Sequence, residues 1–123
     1  MASFHVIQNV GVKSMKKVSD VAKILDAKVY NQGEDKEIIG GYAGDFLSFV
    51  MGRAPSKCAW FTVMTNVNVC AVATLADVGV IVLCEGVEPS EQLLLKVREH
   101  GVNLIGTVKD VYEAVVEYSK NEN

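Results

Sequence analysis

The sequence is poor in basic clusters, in paired cysteines and in long apolar runs, and each shortage removes a class of function. Lys16-Lys17 is the only adjacent basic pair, and the chain carries a net charge of −3. Such a surface does not neutralise a row of phosphates, so no nucleic-acid partner is expected. No apolar run approaches the roughly 20 residues of a membrane span; the longest, 79–84, reads as a buried strand. Cys58, Cys70 and Cys84 are odd in number and far from CxxC spacing. That argues against a disulfide framework and an iron–sulfur ligand set, and favours a cytoplasmic location. The histidines are His5 and His100 alone, which supports neither a metal site nor a catalytic triad. GxxxxGK[ST] and GxGxxG are absent, so a nucleotide would have to bind in another way. No cofactor and no metal are expected.

What remains is an ordinary globular composition: 123 residues, 50% apolar and 22% charged. One domain with one core suits that length. Residues 1–14, MASFHVIQNVGVKS, differ from the rest and are set apart as an extension or tag, in which FHVIQNV could add an edge strand. They lack the apolar stretch and cleavage site of a signal peptide. The domain is expected over 15–118, with a polar, fraying tail at 119–123.

Val18, Val21, Ala22, Ile24 and Leu25 recur at helical spacing, which predicts a helix over 18–25. Short strands at 27–30 and 37–39 flank the polar turn 31–35 and are expected to form an antiparallel pair. Asp45 is a candidate cap for the next helix, whose Phe46, Leu47, Phe49, Val50 and Met51 give a broad apolar face. A strand follows at 59–64, then a helix over 67–76.

That helix is apolar almost all round: Val67, Val69, Cys70, Ala71, Val72, Ala73, Leu75 and Ala76. A lone surface helix has a polar face. This one is expected to be covered on both sides, either by its own chain or by a second copy. It is therefore the candidate homodimer contact.

Residues 79–84 read as a central parallel strand buried on both faces. Pro89 suits the first turn of the next helix, and Gly101 its C-cap. Arg98 and His100 fall where the helix dipole favours positive charge. A last strand is expected at 102–105. Thr107 and Asp110 resemble a capping box, and Val108, Val111, Tyr112, Val115 and Val116 make one face of the closing helix.

The alternation from Ala59 onward implies an α/β three-layer sandwich. Its sheet is mostly parallel, with right-handed crossovers and a short antiparallel pair in the N-terminal half. Ligands of open α/β sheets bind beyond the carboxyl ends of the strands. The candidate rim comprises Gly40, Gly41, Asp45, Thr65, Asn66, Asn68, Glu85, Gly86 and Thr107. Free amides at the helix start after Asn66 would suit an anion, although polar residues and glycines occupy loops in any case. No catalytic set is assigned. Asp45 is a better helix cap than acid/base group, and Glu85 is the best single carboxylate. The cysteines read as small core residues, and Trp60 as core rather than a stacking platform.

IIGGYAGDFLSFVMGRA and WFTVMTNVNVCAVATLADVGVIVLCEGVEP carry a family likeness. Gly44-Asp45 with Leu47-Ser48, the helix 68–77 and Glu85-Gly86-Val87-Glu88-Pro89 resemble the DRTGG domain over about 15–118. The namesake motif is reduced to Lys36-Glu37-Ile38-Ile39-Gly40-Gly41, where only the glycine pair matches. The resemblance implies a fold similar to the N-terminal domain of HPr kinase/phosphorylase, without the kinase phosphate loop. Such domains also occur inside phosphate acetyltransferases, beside CBS domains in pyrophosphatases, and alone near iron-hydrogenase genes. It implies a regulatory or interaction role, commonly dimeric.

The favoured reading is a non-catalytic regulatory domain. It would be homodimeric through the helix 67–76 and would sense a small anionic or nucleotide ligand at the strand-end rim. The alternatives are an enzyme or enzyme subunit using Asp45 and Glu85, and an accessory protein of an iron-hydrogenase-type electron-transfer system.

Overall fold

The computed structural model describes residues 16–120. The segment 1–14, with its suggested strand and His5, lies outside the described residues, as do 121–123. The elements run β1 (Lys16–Lys17), α1 (Val18–Ile24), β2 (Lys28–Asn31), β3 (Glu37–Ile38), β4 (Gly41–Ala43) and α2 (Leu47–Arg53). Then follow β5 (Ala59–Thr62), α3 (Asn68–Leu75), β6 (Val80–Leu83), α4 (Glu91–His100), β7 (Leu104–Gly106) and α5 (Val111–Lys120).

Val80 to Leu83 is apolar at every position, and β6 accordingly sits at the centre of a five-stranded sheet of order β2-β7-β6-β5-β4. β4, β5, β6 and β7 are parallel neighbours, and β2 closes one edge antiparallel to β7. The strand period of two sends Trp60, Ile81, Leu83 and Leu104 to one face, against Val50 of α2, Val69 of α3 and Leu93 of α4. Ala59, Phe61, Val80, Val82 and Ile105 face the other way, against α1 and Tyr118 of α5. Two cores on one sheet make the expected three layers.

The short antiparallel pair is present, but its partners differ from those the sequence suggested. β3 pairs with β1, while β2 pairs with β7. The reason lies in two asparagines. Asn31 Nδ2 donates to the carbonyls of Val97 and Val102, at 3.0 and 2.8 Å. Asn103, buried, accepts from the Gly33 amide at 2.7 Å and donates to the carbonyls of Glu34 and Gly79. These bonds draw the 31–34 turn to the entry of β7, so 27–30 cannot fold back on 37–39.

Several helix starts also differ. Asp45 does not cap α2; Phe46 holds that position with no side-chain bond. Pro89 lies outside α4, whose cap is Ser90, accepting from the Leu93 amide at 3.1 Å. Asp110 alone caps the last helix, accepting from the Glu113 amide at 2.7 Å. The Thr107 hydroxyl instead donates to the Leu25 carbonyl, so the two make no capping box. On α5 the buried residues are Ala114 and Tyr118, while Val108 and Tyr112 stand in solvent. Gly101 ends α4 in the left-handed region at φ 65°, as expected of a C-cap glycine.

α3 divides more cleanly than its composition suggests. Val69, Cys70, Val72 and Ala73 are buried by this chain, whereas Asn68, Ala71, Thr74 and Leu75 face outward. On α2 only Val50 is buried, and Phe46, Phe49 and Met51 of the expected apolar face are exposed.

Candidate functional site

The parallel ladder decides which candidate residues share an edge. Gly41 pairs with Ala59 at the start of β5, so Gly40 and Gly41 lie at the amino end of the parallel strands. They do not belong to the carboxyl rim with the other candidates. Gly40 adopts φ 71°, and its carbonyl accepts from the Ala59 amide and the Tyr118 hydroxyl. That is the work of a turn glycine pinned to the core.

The carboxyl rim is assembled from the ends of β4, β5, β6 and β7. Asp45 Oδ1 accepts from the Thr62 hydroxyl at 2.7 Å and from the Val63 amide at 3.0 Å. It thus clamps the loop after β4 to the end of β5. Trp60 is buried, and its Nε1–H donates to the Gly44 carbonyl at 2.9 Å, seating the same loop from beneath. The next loop holds Asn66, whose Oδ1 accepts the Asn68 amide at 2.9 Å. The Asn68 amide is thereby taken, and the Val69 and Cys70 amides donate to the carbonyls of Asn66 and Val67, so the start of α3 offers none of these three to an anion. The Thr65 carbonyl accepts the Ser90 amide, joining this loop to the one before α4.

Glu85 and Gly86 end β6 with φ 64° and 69°. Their amides donate to the carbonyls of Lys109 and Thr107, which ties the β6 and β7 loops together. Left-handed geometry at Glu85 costs about 1 kcal/mol relative to glycine. Thr107 is buried, donates to Leu25 and accepts from the Lys109 amide at 3.3 Å, so its hydroxyl is fully engaged. Asp45, Asn66, Asn68, Glu85 and Gly86 remain exposed on this edge, with Thr65 half-buried.

Three carboxylates and the Lys109 ammonium sit at the rim. Burial pushes the Cys84 thiol up to about 12, helped by the carboxylates of Glu85, Asp110 and Asp45. These carboxylates converge on the end of β6. Burial likewise pushes the Cys58 thiol up to about 11 and raises Cys70. All three cysteines are buried and unpaired, in keeping with small core residues. Among the described residues no cluster of metal-ligating side chains forms, and no helix is long and apolar enough to cross a membrane.

A concave feature lies beside the rim. α3 and α4 enclose a groove of about 490 Å³, lined by Val67, Asn68, Cys70, Ala71, Thr74, Leu75, Lys96 and His100. Gln92, Leu95, Arg98 and Glu99 extend that surface along α4. Asn68 is shared by groove and rim; Asp45 and Glu85 do not line the groove. Sequence reasoning missed Lys96, His100 and Leu95 as lining residues. The signal available was the run Leu93-Leu94-Leu95, one residue more than a buried stripe needs: Leu93 is buried and Leu95 stands outside.

No family model and no curated protein matches the chain. Among solved structures, the fold is similar to the CBS and DRTGG domains of the regulatory region of Clostridium perfringens pyrophosphatase, a structure complexed with its activator, diadenosine tetraphosphate. The TM-score is 0.75 at 12% identity, over 99% of this chain and 53% of that one. The present chain thus spans about half of that chain's length. The likeness expected from the sequence holds at the level of fold, which is DRTGG-like.

Proposed function

We propose that this DRTGG-like chain is a non-catalytic regulatory module that self-associates through the helical layer containing α3 and responds to a nucleotide at its strand-end rim. The observation that carries the reading is the fold, which matches a regulatory region complexed with a nucleotide activator over 99% of the present chain. The outward side of α3 supports self-association, because Ala71 and Leu75 are exposed where a helix facing water would place charge.

The rim chemistry narrows the ligand. Carboxylates at Asp45, Glu85 and Asp110 disfavour a bare anion but accept from ribose hydroxyls and base amines. Asn66 and Asn68 offer amide groups on the same edge. The nucleoside part is therefore the part recognised, with the phosphates directed away from the carboxylates or accompanied by a divalent cation.

A thermal-shift series with mono- and dinucleotides, each with and without magnesium, tests this. Binding to the folded state raises stability with ligand concentration over Kd. The reading expects a concentration-dependent shift that Glu85→Ala weakens. No shift with any nucleotide removes the sensing role.

The acid/base alternative asks Asp45 and Glu85 to serve one substrate. Asp45 already holds the Thr62 hydroxyl and the Val63 amide, which favours a positioning role for it. The cytoplasmic location and any enzyme-complex partner, including an iron-hydrogenase-type system, stay within this proposal. A pull-down from the native host would test that partner.

A further inference from the structure

The helical layer on the α3 side carries both a protrusion and a recess. Phe46 and Phe49 meet edge to face with ring centroids 4.7 Å apart, and the Arg53 guanidinium lies 3.9 Å over the Phe49 ring. Phe46 is 62% exposed and Phe49 45%, on a helix that buries only Val50. The pair is held in shape before anything covers it. The α3–α4 groove, about 490 Å³, opens on the same layer, because α2, α3 and α4 all pack on one face of the sheet.

From this the geometry points to a two-fold dimer in which the Phe46–Phe49 pair of each protomer enters the α3–α4 groove of the other. This rests on the self-association reading above and says where the contact is made. Three observations select a second copy as the occupant.

The first is area. Met51, Leu75 and Leu95 are 50%, 73% and 63% exposed and, with the two phenylalanines, frame this layer. At about 200 Å² for a large side chain, the five expose about 590 Å². That is most of the roughly 800 Å² each partner contributes to a stable interface, and it lies near the upper end for a monomer's largest apolar patch.

The second is charge. The groove brings Lys96, a cation that favours the faces of incoming aromatic rings. The protrusion brings Arg53 toward a surface that carries Glu99, whose exposed 3.3 Å pair with Lys96 leaves it open to a second cation. The third is closure. Protrusion and recess share one face, so a two-fold axis satisfies both at once and leaves no open end.

Complementation tests the inference. Phe46→Ser with Phe49→Ser removes the protrusion, and Ala71→Trp fills the groove. All three positions are exposed, and circular dichroism verifies that the variants fold. Sedimentation of each variant alone should show dimerisation weakened by at least about tenfold. An equimolar mixture should recover part of the lost affinity, since one intact protrusion then meets one intact groove. Variants that dimerise as tightly as the wild type, or a mixture no tighter than its components, overturn this contact while leaving a dimer of another kind. A wild type that stays monomeric overturns the self-association reading itself.

Discussion

Asp45→Ala separates a rim clamp from a helix cap. The carboxylate accepts from the Thr62 hydroxyl at 2.7 Å and the Val63 amide at 3.0 Å. Hydrogen bonds to a charged group contribute about 1.5–3 kcal/mol when protected from water. The Val63 bond is at the surface, so water replaces much of it after the substitution. Thr62 is fully buried, and its hydroxyl, which also accepts the Met64 amide at 3.2 Å, loses the acceptor for its own proton. The net cost is about 2 kcal/mol, a fall in Tm of about 10 °C for a domain of this size.

Urea unfolding followed by far-ultraviolet circular dichroism measures it, with the slope held fixed between variants. The decisive form is a cycle with Thr62→Val. If the carboxylate acts through that hydroxyl, the double variant loses about 1 kcal/mol less than the two singles together. Strict additivity would refute the clamp, and so would an Asp45→Ala variant as stable as the wild type.

Other substitutions probe the same edge and its surroundings. Glu85→Gly relieves the left-handed backbone at φ 64° and should stabilise the fold by about 0.5–1 kcal/mol while weakening the nucleotide response, read by urea unfolding and thermal shift. With Cys58 pushed up to about 11, Cys84 to about 12 and Cys70 raised, thiol labelling near pH 8 should be slow in the native protein and reach all three cysteines only on unfolding. Asp35 sits below its ordinary value of 3.8 because the Ser19 amide and then the Ser19 hydroxyl donate to it. A depressed carboxyl stabilises the fold above its unfolded value and loses that contribution as pH falls through the folded one. The stability gap between wild type and Asp35→Asn should therefore be constant near neutrality and close below about pH 4, followed by urea midpoints against pH.

Much of the scaffold was legible because its signals are local. An unbroken apolar run has only one place in a sheet of this kind, and β6 occupies it. Gly101 marked the end of α4 through a backbone angle only glycine takes easily. The pairing errors involve partners far apart in the chain. Asn103 meets Gly33 across 70 residues, and Asp45 meets Thr62 across 17. Asparagine and aspartate serve turns and caps equally well, so spacing could not choose the partner. The rim was legible as a set of loops, but the Gly40-Gly41 pair was placed on the wrong edge because Gly41 opens the parallel strand β4, whereas the β3 that precedes it belongs to the other sheet. The exposure of Phe46 and Phe49 was not legible at all: an aromatic on a short helix reads as core until the helix is seen to bury one residue.

The most direct test of the account is sedimentation equilibrium of the wild type over a wide concentration range, beside Leu75→Glu. Leu75 is the most exposed large apolar side chain of α3, and a charge there leaves the buried face untouched. A reversible dimer is expected in the wild type and a monomer in the variant, both folded. A wild type that sediments as a monomer at every concentration, with and without nucleotide, would contradict it.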